Sequence, residues 1–166
     1  MKSMLSSADR AAEISGWVIL AGLWILTLWS YPGLPDIIPV HYSGTGQVDG
    51  YGSKSALLIL AAIGTFLFIG MTILTRYPFI FNHPTGITET NKVGQRTGAI
   101  KLIRYLKLLV VLVFTIIVYS TLQIVSGKSG GLRIWFLPLI EGLIFVPVVY
   151  FVIRSLRTRP RSRQSR

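Results

Sequence analysis

Four long apolar runs, separated by shorter polar segments, dominate the hydrophobic pattern of this chain. The runs cover 14–31, 56–75, 108–126 and 132–153, and they contain 18, 20, 19 and 22 residues. As helices rising about 1.5 Å per residue they reach roughly 27 to 33 Å, which matches a hydrocarbon core of about 30 Å. The first three contain no Asp, Glu, Lys or Arg. The pattern therefore predicts an all-α membrane protein with four transmembrane helices.

The composition supports this class and argues against a soluble enzyme. Hydrophobic residues make up 51% of the chain and charged residues 14%, whereas soluble domains carry roughly 25% charged residues. The absence of cysteine excludes disulfides, thiol catalysis, zinc–thiolate sites and iron–sulfur clusters. No phosphate-binding loop, catalytic triad order or HExxH motif is present. We therefore expect a protein without catalysis, cofactor or metal.

The first apolar run could be mistaken for a secretory signal, because Lys2 and Arg10 precede it. It is longer than a typical signal core, however, and it ends in Trp29-Ser30-Tyr31-Pro32 without an Ala-x-Ala pattern. Trp29 and Tyr31 are typical of anchors at the membrane interface. We interpret this run as a retained span.

The basic residues predict the orientation. The chain has 17 Lys and Arg against six Asp and Glu, and 14 of the 17 lie before residue 14, in 76–107 or in 154–166. By the positive-inside rule these segments face the cytoplasm. Both termini are then cytoplasmic, and the nearly uncharged loop 32–55 lies on the outer side.

The basic tail, 154–166, could also suggest nucleic-acid binding. It contains no aromatic residue and directly follows a membrane span, and anionic headgroups attract such residues by about 1 kcal/mol each. We expect a topology determinant that contacts anionic lipid, and no nucleic-acid partner. The predicted contacts are Arg154, Arg157, Arg159, Arg161 and Arg163.

The outer loop 32–55 has the composition of an ordered cap. It holds too many apolar residues for a flexible linker, Pro39 to Tyr42 suit an extended piece, and Ser43 to Gly46 and Asp49-Gly50 are turn signals. We expect it to lie against the outer ends of the helices. On the cytoplasmic side, 76–107 should include an amphipathic extension of the third helix, capped by Thr88, that lies at the lipid headgroups.

Asp36, His41 and Asp49 are the candidate binding residues of the cap. Their side chains offer oxygen and nitrogen ligands, but separations of five and eight residues match no standard metal motif. Recognition of an external ligand or of a protein or peptide partner is one interpretation. The alternative is structural: the aspartates bind turn amides and His41 packs within the cap.

The loop sequence Leu34-Pro35-Asp36-Ile37-Ile38-Pro39-Val40-His41-Tyr42, followed by Gly46, Asp49, Gly52 and Lys54, carries a family resemblance. It resembles a bacterial membrane domain of unknown function that is shared with the amino-terminal part of SdpI-type immunity proteins. A segment from Phe81 to Asn91 is similar to one that follows in some members, so the resemblance covers roughly 32–107. It implies a multi-pass protein of the bacterial cytoplasmic membrane with an extracytoplasmic loop, and it brings no catalytic residues. Those immunity proteins resist a secreted peptide toxin and signal its presence.

Glu141 is the only acidic residue inside a predicted span, one or two positions from the centre of 132–153. A charge at that depth costs on the order of 2.5–3.5 kcal/mol on insertion scales, so the side chain should face protein or water. It could bind a proton or cation, or be a neutral, hydrogen-bonded structural group. Two functions follow: a sensor, immunity or accessory protein that binds through its outer loop, or a small oligomeric proton-coupled transporter using Glu141.

Overall fold

The computed structural model describes residues 6–76 and 89–157, with the side chains of 89–96 and 156–157 left aside. Four of the described helices are long and apolar enough to cross a membrane, which confirms the four-helix prediction by length and composition. The side on which each terminus lies stays a prediction. In chain order the elements are α1 (Ser7–Ser30), a short 3-10 helix (Tyr31–Gly33), β1 (Ile37–Tyr42), β2 (Val48–Ser53), α2 (Ser55–Arg76), α3 (Glu89–Val125) and α4 (Phe136–Arg157).

The helices α1, α2 and α3 form a three-helix bundle with one continuous apolar core. Salt bridges from Asp9 to Arg104 and from Glu13 to Lys107 show that α1 and α3 run parallel. The helix α2 runs antiparallel to both, and its Gly64 lets the ring of Phe114 approach the backbone. Burial of large aliphatic and aromatic groups stabilises such a core by roughly 1.5–3 kcal/mol per side chain. The buried core residues of these helices include Leu20, Leu23, Leu57, Ala61, Phe68, Val111 and Val118.

The outer loop forms an antiparallel β-hairpin, which the all-α prediction did not include. Its two strands pair from Ile37 opposite Ser53 to Tyr42 opposite Val48, with a bulge around Val40. The turn lies at Ser43 to Gly46, as the sequence indicated, and Gly46 adopts φ +83°. The prediction of a second turn at Asp49-Gly50 was wrong, because both residues lie within β2, where Gly50 pairs with His41.

The third helix is one continuous element from Glu89 to Val125, so the amphipathic stretch and the apolar run form a single rod. At 37 residues its length is about 55 Å, longer than a bilayer core. Gly127, at φ +70°, ends it, and the following backbone N–H of Lys128 donates to the carbonyl of Gln123. The predicted cap residue Thr88 lies outside the described residues.

The fourth helix packs mainly against the half of α3 that lies far from the hairpin. The hydroxyl of Tyr105 donates to the carbonyl of Leu143 at 3.1 Å, and the ring of Phe151 lies against Gly98. Most of the α4 surface is exposed in the single chain. The helix begins at Phe136, four residues after the start of the predicted span, because Leu132 binds the hairpin turn instead.

Candidate functional site: the hairpin cap

The hairpin is held against the bundle at both of its ends. Near its base, Ile38 is buried with Leu34 and Leu57 in the core. Near its turn, the hydroxyls of Tyr42 and Thr121 lie 2.7 Å apart, which joins β1 to α3. Together these contacts make the loop a fixed cap rather than a linker.

A backbone contact also ties the hairpin turn to the connection between α3 and α4. The N–H of Leu132 donates to the carbonyl of Gly46 at 2.7 Å, beside an isolated bridge between Gln47 and Gly131. A Cβ on Gly46 would lie 2.2 Å from the Leu132 carbonyl oxygen, so no side chain fits there. The contact therefore requires glycine both for its backbone angle and for its close approach.

One face of the hairpin exposes large apolar side chains. Ile37 lies opposite Ser53 and Pro39 opposite Tyr51, so Ile37 and Tyr51 project from the same face. Both are 67% exposed. We call the exposed side chains of Ile37, Tyr51, His41 and Asp49 together the cap surface. Apolar groups clustered outside the helices are typical of interaction sites.

The structure brings two of the three predicted binding residues together. Nδ1 of His41 lies 2.5 Å from a carboxylate oxygen of Asp49, and both side chains are largely exposed. Gly50 lies opposite His41, and a Cβ there would come within 2.9 Å of the His41 Cβ. The glycine therefore leaves space for the imidazole to reach the carboxylate across the hairpin.

Asp36 does not join this pair. It precedes β1, about 16 Å from His41 along an extended strand, and its carboxylate pairs with Lys54 at 3.1 Å. The backbone N–H of Lys54 also donates to the Asp36 carbonyl, so this contact closes the hairpin base. Within residues 6–76 and 89–157, no three His, Asp or Glu side chains are grouped so as to hold a metal ion.

The half-buried phenol of Tyr42 is favoured in its neutral form. Burial raises the pKa of Tyr42 above the ordinary value of 10.0, although the hydrogen bond to Thr121 acts in the opposite direction. Removal from water disfavours the phenolate. The side chain therefore stays neutral and holds the cap in place.

Glu141 lies in a different setting from the one that the apolar run indicated. It is the sixth residue of α4, about 8 Å from the start of that helix. Leu143, two residues after Glu141, accepts the hydrogen bond from Tyr105 of α3. Glu141 therefore lies at about the same height along the bundle as Lys107, within one or two helical turns. Its side chain is exposed, and it makes no ion pair within the described part of the chain.

Two ion pairs between α1 and α3, one of them with a buried lysine, were missed by the sequence reasoning. Lys107 is 1% exposed and donates to Glu13 at 2.7 Å, while Arg104 pairs with Asp9 at 3.3 Å one turn away. The hydropathy pattern placed all four residues outside the apolar runs. Their spacing was the available signal. The two acids are four residues apart and the two bases three residues apart, so each pair lies on one face of its own helix.

The basic tail is only partly described. Arg154 lies exposed in the last turns of α4, and Arg157 ends that helix. Arg159, Arg161 and Arg163 lie outside the described residues. Contact of these side chains with anionic lipid stays a prediction.

The comparisons with known proteins agree with the part of the resemblance that names a domain of unknown function. The family described as "Domain of unknown function (DUF1648)" matches residues 18–65, from α1 through the hairpin into α2. A protein of Archaeoglobus fulgidus, named "Uncharacterized protein", is 26% identical over 98% of this chain and 96% of its own length. No solved structure matches the chain. The chain is thus similar over residues 18–65 to a domain of unknown function, and neither name supports the link to SdpI-type proteins.

Proposed function

We propose that this chain is a non-catalytic multi-pass membrane protein that binds a partner through the cap surface. Its setting would be the cytoplasmic membrane, with both termini inside and the hairpin outside, as the distribution of basic residues favours. The match at residues 18–65 contains the whole hairpin and excludes α3 and α4. The part of the chain similar to that family therefore includes the cap.

The hairpin is fixed on the bundle, and it exposes both apolar and polar side chains; this combination supports the proposal. Ile37 and Tyr51 offer apolar contact area, and the His41–Asp49 pair offers a directional polar contact. A surface of this kind suits a protein or peptide better than a small ion, because aromatic anchors beside polar groups dominate protein interfaces. The resemblance favours an immunity or signalling role as the particular form of this binding.

The test is site-specific photo-crosslinking in the native cell. A photoreactive amino acid at Tyr51 should give a discrete crosslinked partner, and the same group at the exposed α2 residue Phe66 should give lipid adducts only. His41→Ala and Asp49→Ala should each weaken the Tyr51 crosslink without lowering the amount of protein in the membrane. Equal crosslinking at both positions, or a Tyr51 crosslink that survives both substitutions, would remove the support for a cap-binding role.

The alternative function, a small oligomeric proton-coupled transporter that uses Glu141, has less support. Glu141 lies on the exposed surface of α4 rather than among the bundle helices, so a pathway would need a second copy of the chain. Loss of pH-dependent flux in proteoliposomes after Glu141→Gln is the result that would favour this alternative.

A further inference from the structure

A buried ammonium group sits at the meeting point of three helices, at the end of the bundle far from the hairpin. Nζ of Lys107 donates to Glu13 of α1 at 2.7 Å and to the hydroxyl of Thr72 of α2 at 3.1 Å. The same atom lies 4.6 Å from the centre of the Phe68 ring. A cation buried in this way depends on its counter-charge, since an unpaired charge in a low-dielectric interior is strongly unfavourable.

Glu13 provides that counter-charge with only one of its two oxygens. Oε1 accepts from Lys107, whereas Oε2 is buried and has no hydrogen-bond partner among the described residues. The side chain as a whole is 29% exposed, against 1% for Lys107. The Glu13 side chain therefore reaches the surface of the bundle, while the ammonium group is enclosed.

The charged neighbours of Glu13 come from α1 and α3. Asp9 lies one turn before it on α1 and pairs with Arg104 of α3, and Lys101 of α3 acts on Asp9 through space. From α2 come the neutral Thr72 and Phe68, which contact Lys107. Of these groups, the Glu13 carboxylate is the counter-ion bonded directly to Lys107.

We propose that Glu13 is a proton-binding site that controls the closure of this end of the bundle. A proton taken up by the carboxylate neutralises it and leaves Lys107 as a buried cation without a counter-charge. Hydration then lowers the free energy of the ammonium group, and water reaches it when α1 moves away from α3. Proton uptake and opening are thus linked, while the hairpin end stays closed through Trp24–Thr65 and Tyr42–Thr121.

The test measures distances between spin labels on the full chain in nanodiscs as the pH is lowered. The chain contains no cysteine, so labels can be placed on Ala11→Cys and Leu112→Cys, both exposed. A matched pair on Leu28→Cys and Tyr119→Cys reports on the hairpin end. Acid should lengthen the first distance reversibly and leave the second unchanged. One linked proton changes the ratio of open to closed molecules by up to about tenfold per pH unit.

Variants distinguish the contribution of Glu13 to the pH response from that of its charged neighbours. Glu13→Gln should be open at every pH, and Asp9→Asn should keep the pH response. The double variant Glu13→Gln with Lys107→Met removes both buried charges and should be closed at every pH, so it tests the proposal even if Glu13→Gln alone fails to fold. A first distance that ignores pH in the unmodified background, or a pH response that persists in the double variant, would overturn the proposal.

Discussion

The hydroxyl groups of Tyr42 and Thr121 lie 2.7 Å apart and join the hairpin to α3 across 79 residues of sequence. Thr121 also donates to the carbonyl of Ile117 in its own helix at 3.0 Å, so its proton is already engaged and Tyr42 acts as the donor between them. This side-chain contact holds the turn end of the cap on the bundle together with the backbone contact between Gly46 and Leu132.

Tyr42→Phe should loosen the cap without unfolding the bundle. Loss of one hydrogen bond costs about 1 kcal/mol, and the hydroxyl of Thr121 keeps its helix partner. Amide hydrogen exchange in the hairpin should therefore become roughly fivefold faster, with no change in α1 or α2. The matched control is Tyr51→Phe, whose ring is exposed. Equal acceleration in the two variants would show that the Tyr42 contact does not hold the cap.

Alkaline pH should release the cap through the same side chain. Because burial raises the pKa of Tyr42 in the folded state, the neutral phenol stabilises the docked hairpin. That contribution is fully present below the ordinary value of 10.0 and is lost as the pH rises through the higher folded-state pKa. A spin label on Thr45→Cys should become mobile in this alkaline range. The mobility step should be absent in a Tyr42→Phe background; a step that persists there would assign it to another group.

Gly46→Ala should be among the most damaging substitutions in the cap. An alanine at φ +83° is strained by about 1–2 kcal/mol, and its Cβ would collide with the Leu132 carbonyl. We expect faster proteolysis at the hairpin turn and a lower midpoint of thermal unfolding. Gly44→Ala is the control, because open space surrounds that position; similar behaviour of the two variants would contradict the close approach at Gly46.

Gly16→Ala should weaken the packing between α1 and α2. Its new Cβ would lie 2.8 Å from Cε2 of Phe68, whose ring also meets Trp17 edge-on. Overpacking of this kind costs about 1–3 kcal/mol, and unfolding in a denaturing detergent measures it. Gly22→Ala meets no atom within 4 Å and should stabilise α1 by about 0.5–1 kcal/mol. An unchanged stability in Gly16→Ala would mean that Phe68 can move aside freely.

The helices could be predicted from sequence because each apolar run is long enough to need a membrane. The hairpin was foreseen in part: Pro39 to Tyr42 and the turn at Ser43 were identified, but Asp49-Gly50 resembles a turn and lies in a strand. Two adjacent residues do not reveal that register shifts on both sides of His41 place Gly50 opposite the histidine and let the Asp49 carboxylate reach its ring. The register depends on the pairing of whole strands.

Hydropathy could not predict the ion pairs between α1 and α3, because a charged residue ends an apolar run whether its side chain points into the bundle or away from it. Lys107 was grouped with the cytoplasmic basic residues, yet its long side chain reaches inward between three helices. The setting of Glu141 was missed for a related reason. The predicted span begins at Leu132, but residues 132–135 belong to the connection before α4. Glu141 therefore lies near the start of the helix and not near its centre.

In the proposed function, the cap surface faces outward and is covered by a partner in the cell. The most direct measurement is the labelling rate of Tyr51→Cys by a membrane-impermeant thiol reagent, in intact cells and in purified protein. Lys128→Cys, exposed beyond the end of α3, serves as the reference. Both cysteines should react in intact cells, and Tyr51→Cys alone should react more slowly there than after purification. Labelling of neither cysteine until the membrane is opened, or equal rates for Tyr51→Cys in both settings, would contradict it.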